Sequence, residues 1–454
     1  MSSVSLLTPI LNGGIQNVNF VNGRVLTAED MTAERTANLQ RQRLMGTSIG
    51  DGVAYGLEVT LSSSSVAYGQ QVVHVTAGLA VNRNGDMLQL PSDTDVTLTA
   101  TLPAAAAGGA LFTPCQPPQT QLTNPGIYVL TVMPASGYQG SVPVTQLNSS
   151  GVATSCSSRF RTAGVQFRLS LVTLASTGTG LQPMLYALGN QIQTNLNNNA
   201  SAASLAASLS QFRNGLAYAC YGTQTLATYA ANPFAGLPQS STLDLYGLID
   251  DQRTAGLITD CEVPLALAYW SQQGIQFVDM WSVRRPLFPA AASEAWPLFS
   301  GRRRAAEGMA MFLQFQDQNA GLISTLSASA LSAATAADYF YYLPSAGFLP
   351  VGNISPSTGF DYLQFLSGRT YRNPVFMEGC RLSQVLQTAF LYPPIDLSGE
   401  EMMWVYQVRE NQEAIDNSGG AAAPQVYLFF TNGQVGFHGE AKYDLNYFNY
   451  ANYL

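Results

Sequence analysis

Charge is what this chain has least of. Asp, Glu, Lys and Arg make up 11% of its 454 residues, against about a quarter in an ordinary globular domain. Apolar residues make up 46%, so a large core is available and the surface is left to Ser, Thr, Asn, Gln, Gly and Ala. A surface of that kind suits a freely diffusing monomer poorly, because solubility comes from charge. It suits a subunit covered by neighbours; a neutral secreted β-protein is the other reading. The charges present sum to −8. A nucleic-acid binder needs a basic face, so no nucleic-acid partner is expected.

Histidine is almost missing. His74 and His438 stand far apart, which supports no His-based metal site; each reads as an ordinary packed or surface residue. The five cysteines, at 115, 156, 220, 261 and 380, are odd in number and nowhere close in sequence. That argues against a disulfide framework and a Cys-based zinc site, and predicts mostly buried, reduced thiols, as in a protein folded in the cytoplasm. No uninterrupted apolar window of about 18 residues occurs, so no membrane span is expected. The opening Met1-Ser2-Ser3-Val4-Ser5 has no basic n-region, and no signal peptide is expected. Walker loops, dinucleotide fingerprints, Cys-x-x-Cys pairs and EF-hand loops are all missing. No cofactor, metal or catalytic residue is therefore assigned.

What is present is concentrated first between Asn19 and Val59. Asn22-Gly23 marks a tight turn. Thr27 is a good N-cap, with Asp30 at the reciprocal position of a capping box and Leu26 and Met31 placed for a hydrophobic staple. Glu29, Asp30 and Glu34 near the start, with Arg35, Arg41 and Arg43 further along, suit the helix macrodipole. The pattern predicts a helix from about Ala28 to about Met45, with Gly46 as its C-cap, and then a strand.

This stretch carries a resemblance. Phe20-x-x-Gly23-x-Val25-Leu26-Thr27-Ala28-Glu29-Asp30, an Arg-rich helix, and Gly52-Val53-x-x-Gly56-Leu57-Glu58-Val59 are similar to the N-terminus of a family found among phage-tail-like contractile injection systems. Trp281 to Arg285, Leu343 to Pro350 and Tyr406 to Asn411 also resemble it. Members are structural parts of the particle, associated with the baseplate. The resemblance implies a structural subunit, partnered by other subunits of the particle, made in the cytoplasm and carried in an assembly that is released or docked on a membrane. None of these motifs has a catalytic meaning.

Further along, Val72–Val75, Leu79–Val81, Met87–Leu90 and Val96–Thr99 read as short strands, with Asn84-Gly85 as a hairpin turn. Ile127–Met133 is a strand, 134–158 a long polar excursion, and Val165 to Leu171 an alternating, half-buried strand. Leu205, Leu209, Phe212 and Leu216 form one helical face, and a second helical region runs from about Arg302 to Tyr339. Its small residues let helices approach closely and predict a bundle, of a kind that subunits can share. Between the helices, Val263–Trp270 and Ile275–Trp281 read as strands around Gly274. Met402–Val408 and Val426–Phe430 are strands, the latter followed by Asn432-Gly433. The tail from Tyr443 to Tyr453 is aromatic and suited to docking. The expected fold is multidomain α+β: a β-rich N-terminal domain over 1–175, a mainly helical middle with a short β-hairpin over 176–340, and a β-rich aromatic C-terminal domain over 341–454.

Three patterns bear on chemistry. Gly46-Thr47-Ser48-Ile49-Gly50 matches a nucleophile elbow in letters, but an elbow follows a strand and opens a helix, and here the order is reversed. The acidic pairs Asp250-Asp251 and Glu400-Glu401 read as solvated turns or helix starts; a glycosidase would need its two carboxylates facing across a cleft. Arg284, Arg285, Arg302, Arg303 and Arg304 are the densest charges in a nearly neutral chain. Arg bonds carboxylates and stacks on aromatics, so these five are the candidate interface residues at a subunit or domain boundary, with a solvated helix start or an anionic ligand as alternatives. A homo-oligomer is expected, a trimer suiting a particle of threefold or sixfold symmetry. A receptor- or glycan-binding adhesin and a polysaccharide or cell-wall hydrolase are the rival functions.

Overall fold

The computed structural model describes residues 11–62, 71–98, 125–148, 151–200, 202–221, 247–287, 302–350, 361–369, 371–400, 402–408, 427–433 and 435. They form an α+β protein with several sheets. Helix α1, Ala28–Ile49, opens with the expected capping box between Thr27 and Asp30. It runs past Gly46, which is not its C-cap. Gly46 lies inside the helix, where a side chain would run into the Gly85 carbonyl; its role is close approach. Capping passes to Gly50, whose N–H donates to Gly46 O at 3.1 Å. Leu26 and Met31 both stay exposed, so no staple buries them. The Gly46–Gly50 pattern is a helix end, not an elbow.

Six short strands follow: β1 (Gly52–Gly56), β2 (Val59–Leu61), β3 (Val72–Val75), β4 (Gly78–Val81), β5 (Met87–Leu90) and β6 (Thr94–Thr97). They form two antiparallel sheets, β1-β4-β5 and β2-β3-β6. The turn between β4 and β5 is the predicted Asn84-Gly85, with Gly85 at φ 80°, a conformation glycine adopts without strain.

Strands β7 (Gly126–Asn148) and β8 (Gly151–Val172) make one long antiparallel hairpin. The expected polar excursion at 134–158 is therefore two continuing strands. The alternation that signals a strand arises from burying one face; this part of the hairpin is held by backbone pairing with its described outer side chains in solvent.

After β8 come helices α2 (Leu181–Asn197), α3 (Ala202–Tyr221) and α4 (Leu248–Thr254), then β9 (Val263–Ser271) and β10 (Gly274–Asp279). The two strands around Gly274 are as predicted, and they complete a sheet of order β10-β9-β7-β8. This sheet is the centre of the molecule. Ile127, Val129, Leu267 and Tyr269 pack in one core with Leu185 and Ile192 of α2 and Phe212 and Leu216 of α3. Tyr128, Leu130, Val132 and Leu265 pack in another with Val53, Val73, Ala80 and Leu88 of the small sheets. Helix α2 lies in the stretch expected to be mainly helical, and its buried Leu185, Ile192 and Leu196 stand at helical spacings of seven and four.

The helical region beginning at Arg302 is divided into α5 (Arg302–Thr325), α6 (Ala328–Ala333) and α7 (Ala336–Tyr339). Ser327 caps α6, and Thr335 with Asp338 boxes α7. Side-chain acceptors of this kind start a new helix instead of extending the old one.

The C-terminal part has β11 (Tyr342–Leu343), β12 (Ala346–Pro350), α8 (Tyr362–Phe365), β13 (Tyr371–Met377), α9 (Leu382–Ala389), β14 (Ile395–Asp396), β15 (Met403–Val408) and β16 (Tyr427–Asn432). Its main sheet has the order β12-β16-β15-β13, with β13 and β15 parallel. Phe315 of α5 is wedged between Phe340 and Phe430, which joins helix and sheet in one core. His438 and the aromatic tail lie outside the described residues, as does any strand paired through Asn432-Gly433.

The cysteines depart from expectation. Cys261 is disulfide-bonded; spacing along the chain does not report which thiols a fold brings together. Cys220 is buried, and its burial pushes the thiol up to about 12. Cys156 and Cys380 are exposed free thiols, the first on the long hairpin and the second in a single 3₁₀ turn, Gly379–Arg381. Among the described residues no helix is long and apolar enough to cross a membrane.

Candidate functional site

The N-terminal stretch is built as a surface. Of the 22 residues of α1, Asp30, Ala37 and Gly46 are buried. Leu11, Phe20, Val21, Val25, Leu26, Met31, Leu39, Leu44, Met45 and Ile49 are all exposed. Singly exposed apolar residues are normal; here ten of them fall on one helix and the strap before it. An open groove of about 660 Å³ lies between Gly14, Gln16 and the α1 face carrying Ala28, Thr32, Ala33, Thr36 and Ala37.

Both ends of the helix are fixed by polar contacts. At the start the Thr27 hydroxyl accepts from the Asp30 amide at 3.2 Å, and the Asp30 carboxylate accepts from the Thr27 amide at 3.1 Å. The Thr27 amide chiefly holds the Asp30 carboxyl below its usual range, with the Thr27 hydroxyl and Arg24 adding to it. At the other end Arg43 Nε pairs with Asp86 Oδ1 at 2.6 Å, beside the Gly46–Gly85 approach. The β4–β5 turn that receives α1 is itself rigid. Buried Asn82 accepts from the Asp86 amide at 2.8 Å and donates to Cys261 O at 3.1 Å. The helix is thus held where it meets the body, while its apolar side chains face outward.

The candidate arginines divide differently. Arg284 donates to Gly56 O at 2.7 Å, and burial lowers its pKa against the pull of Glu58. Arg285 is 7% exposed. Its guanidinium lies 4.9 Å from the Tyr221 ring centre and donates to the carbonyls of Trp281, Ser282 and Cys220. Arg304 donates to Tyr392 O at 2.7 Å and lies 3.6 Å from Glu307; burial lowers its pKa too. These three bond groups of their own chain: Arg284 and Arg285 bind the segment after β10 to the β1 end and to α3, and Arg304 binds α5 to the end of α9. Arg302 and Arg303 open α5, but their side chains lie outside the described residues.

Other buried ionic groups, Asp250 apart, were not singled out by sequence. Glu262, its side chain fully buried, forms a paired fork with Arg168 at 2.7 and 2.9 Å and accepts from Thr131 and Thr259. Burial alone would raise its pKa, but Arg168 and Thr259 bring it below the usual range. Arg83 meets Asp51 at 3.4 Å and buried Asp250 at 3.1 Å; burial opposes its charge, and these carboxylates raise its pKa nonetheless. Arg253 reaches Asp250 at 3.7 Å. Asp250 and Asp251 stand in the first turn of α4, the helix start that is one of their two readings, but Asp250 is not solvated: its carboxylate sits between two arginines. No spacing rule in the sequence could have paired residues 94 or 167 positions apart.

His74 is partly exposed on β3, with Nδ1 2.8 Å from Asp95 Oδ1 and Nε2 3.7 Å from Asp93. Among the described residues no group of three or more His, Cys, Asp or Glu is arranged to hold a metal ion.

No protein-family model matches the chain, and no curated protein matches it. Solved structures do align. A crystal structure of TssK matches 35% of this chain and 34% of its own length, at 11% identity and a TM-score of 0.20. The TssK-TssF-TssG baseplate subcomplex of the type VI secretion system matches 54% of this chain and 96% of the aligned chain, at 11% and 0.18. The baseplate complex of that system matches 66% and 62%, at 10% and 0.19. The chain thus spans about a third of the first TssK's length. Scores this low carry no argument about what the chain does.

Proposed function

We propose that this chain is a structural subunit of a phage-tail-like contractile injection particle, at or around the baseplate, acting through contacts with other subunits. The observation that carries the reading is α1 and the strap before it: an element fixed at its base, with its large apolar side chains left in solvent. Leaving that much apolar surface in water forgoes about 25 cal/mol for each Å² that a neighbour would cover. The same residues carry the resemblance to baseplate-associated proteins, and the low surface charge fits a covered surface. A homo-oligomer, with a trimer as the expected state, belongs to the same proposal. Arg302 and Arg303 remain its candidate interface residues; Arg284, Arg285 and Arg304 serve boundaries within the chain.

The test is to capture the tagged chain gently from its native cell, image the eluate by electron microscopy and identify co-purifying chains by mass spectrometry. Sheathed tubes or baseplates in the eluate are the expected result. A lone species without partner chains would overturn the reading.

A further inference from the structure

The β7–β8 hairpin is much longer than the sheet it belongs to. β9 pairs with β7 from Gly126 to Val132. Beyond that point, among the described residues, β7 and β8 pair with each other alone, as far as Asn148 opposite Gly151. From Tyr138 outward the described side chains of both strands are exposed. That free part is about 35 Å long at roughly 3.3 Å per residue. It exceeds the radius of gyration of a compact chain of this size, roughly 22 Å. A two-stranded ribbon is marginal in water by itself, and its two open edges are ready templates for pairing. Tyr138 stands opposite Arg161 and Phe160 opposite Gln139, so exposed aromatic rings occupy opposite faces of the ribbon. Arg159 lies 5.0 Å from the Phe160 ring centre. The ribbon's only charges are Arg159 and Arg161, which leaves the rest of the chain all 28 acidic residues against 18 basic ones.

We propose that this ribbon is an exchange arm, which each copy lays on the acidic body of a second copy of this chain to close a symmetric homo-oligomer. The described side chains of the arm from Tyr138 outward are left uncovered by its own chain, so the cover is assigned to another molecule. The arm carries two positive charges and no negative one, the rest of the chain has ten more acidic than basic residues, and a second copy brings that opposite net charge at the arm's own stoichiometry. Exchange of an identical element is a low-cost route to a closed assembly. The inference rests on the homo-oligomer part of the function proposed above and not on the particle.

Two exposed thiols make the test. Cys156 is on the arm, and Cys380 is in the C-terminal region. The full chain is examined by light scattering and maleimide labelling over a dilution series. The expected result is an oligomer in which Cys156 labels severalfold more slowly than in the dilute chain, while Cys380 labels at one rate throughout. A chain carrying both Tyr138→Asp and Phe160→Asp is expected to be monomeric with an unchanged melting temperature. An oligomer with fast-labelling Cys156, or one that survives the double substitution, would overturn the arm and leave the homo-oligomer standing. A wild-type chain that is monomeric at every concentration would overturn both. Should the double variant fail to fold, the wild-type labelling decides.

Discussion

Helices α1 and α5 are nearly equal in length, 22 and 24 residues, and they are held in opposite ways. α5 buries Ala306, Ala310, Met311, Phe315 and Leu322, and with them the polar Gln314, Gln318 and Asn319. Gln318 donates to the Ser210 carbonyl of α3 at 2.8 Å and accepts from Gln314 at 2.7 Å, so two of its buried amide side chains are bonded inside the fold. α1 buries three residues and depends on its cap, an ion pair and one close backbone crossing. Tertiary packing supplies most helical stability in proteins. By that measure α5 is packed within this chain, and α1 leaves most of its length unpacked. The two helices separate a surface closed by folding from one left open, and the open one is the surface that the proposed function assigns to assembly.

The comparison breaks most readily at Phe315. Its ring is fully buried against Phe340 and Phe430, so Phe315→Ala should cost about 3–5 kcal/mol through lost transfer energy and the cavity left behind. Thermal unfolding or a denaturant titration measures it. A loss below about 0.5 kcal/mol, the size of an ordinary surface change, would mean that α5 is not packed as described.

A smaller effect is expected at the start of α1. Thr27→Ala removes the hydroxyl that accepts from the Asp30 amide and should cost about 1 kcal/mol of helix stability, read by hydrogen exchange along α1. The capping box is also a pH-sensitive contact. The Asp30 carboxyl titrates below its ordinary value of 3.8 in the folded protein, so its contribution is full above that value and is lost as pH falls through the lowered one. In the wild type, protection at the α1 start, measured against the unfolded chain at the same pH, should therefore fall only in strongly acid solution. In Thr27→Ala it should be low at neutral pH as well. Unchanged exchange in the variant would show that the cap does not hold the helix.

Sequence reasoning reached the elements whose signal is local. Thr27 with Asp30, Asn84-Gly85, the apolar run of β9 and the Leu205–Leu216 face are all written within a few residues of one another, and each structure follows from its own neighbourhood. What escaped it is set by distance. Glu262 finds Arg168, and Arg83 finds Asp250, only after the central sheet has formed. Cys261 is bonded although no cysteine lies near it in sequence. Gly46 reads as a helix end because glycine ends helices; its actual use, letting α1 cross the Gly85 turn, exists only in the assembled fold. The β7–β8 ribbon escaped for another reason. Neither described face is buried from Tyr138 outward, so the residues carry no alternation to read. The arginine cluster marks a concentration of charge without naming its partners: Arg284, Arg285 and Arg304 bond backbone carbonyls of their own chain, and which carbonyls those are is set by the fold.

The smallest effect on stability should come with the largest effect on assembly. Leu39 and Met45 are exposed on α1, and surface substitutions away from packed features usually stay within about 0.5 kcal/mol. A chain carrying Leu39→Ser and Met45→Ser should therefore melt with the wild type. In a native-cell capture it should lose its partner chains, because apolar side chains at the centre of a covered patch carry most of its binding energy. The pairing of the two readouts separates the possibilities. A variant that melts early places Leu39 and Met45 in the chain's own core and erases the difference between α1 and α5. One that melts normally and still brings down the full set of partners makes α1 an ordinary solvated helix, and the structural reading would then have to rest on a different surface of the molecule.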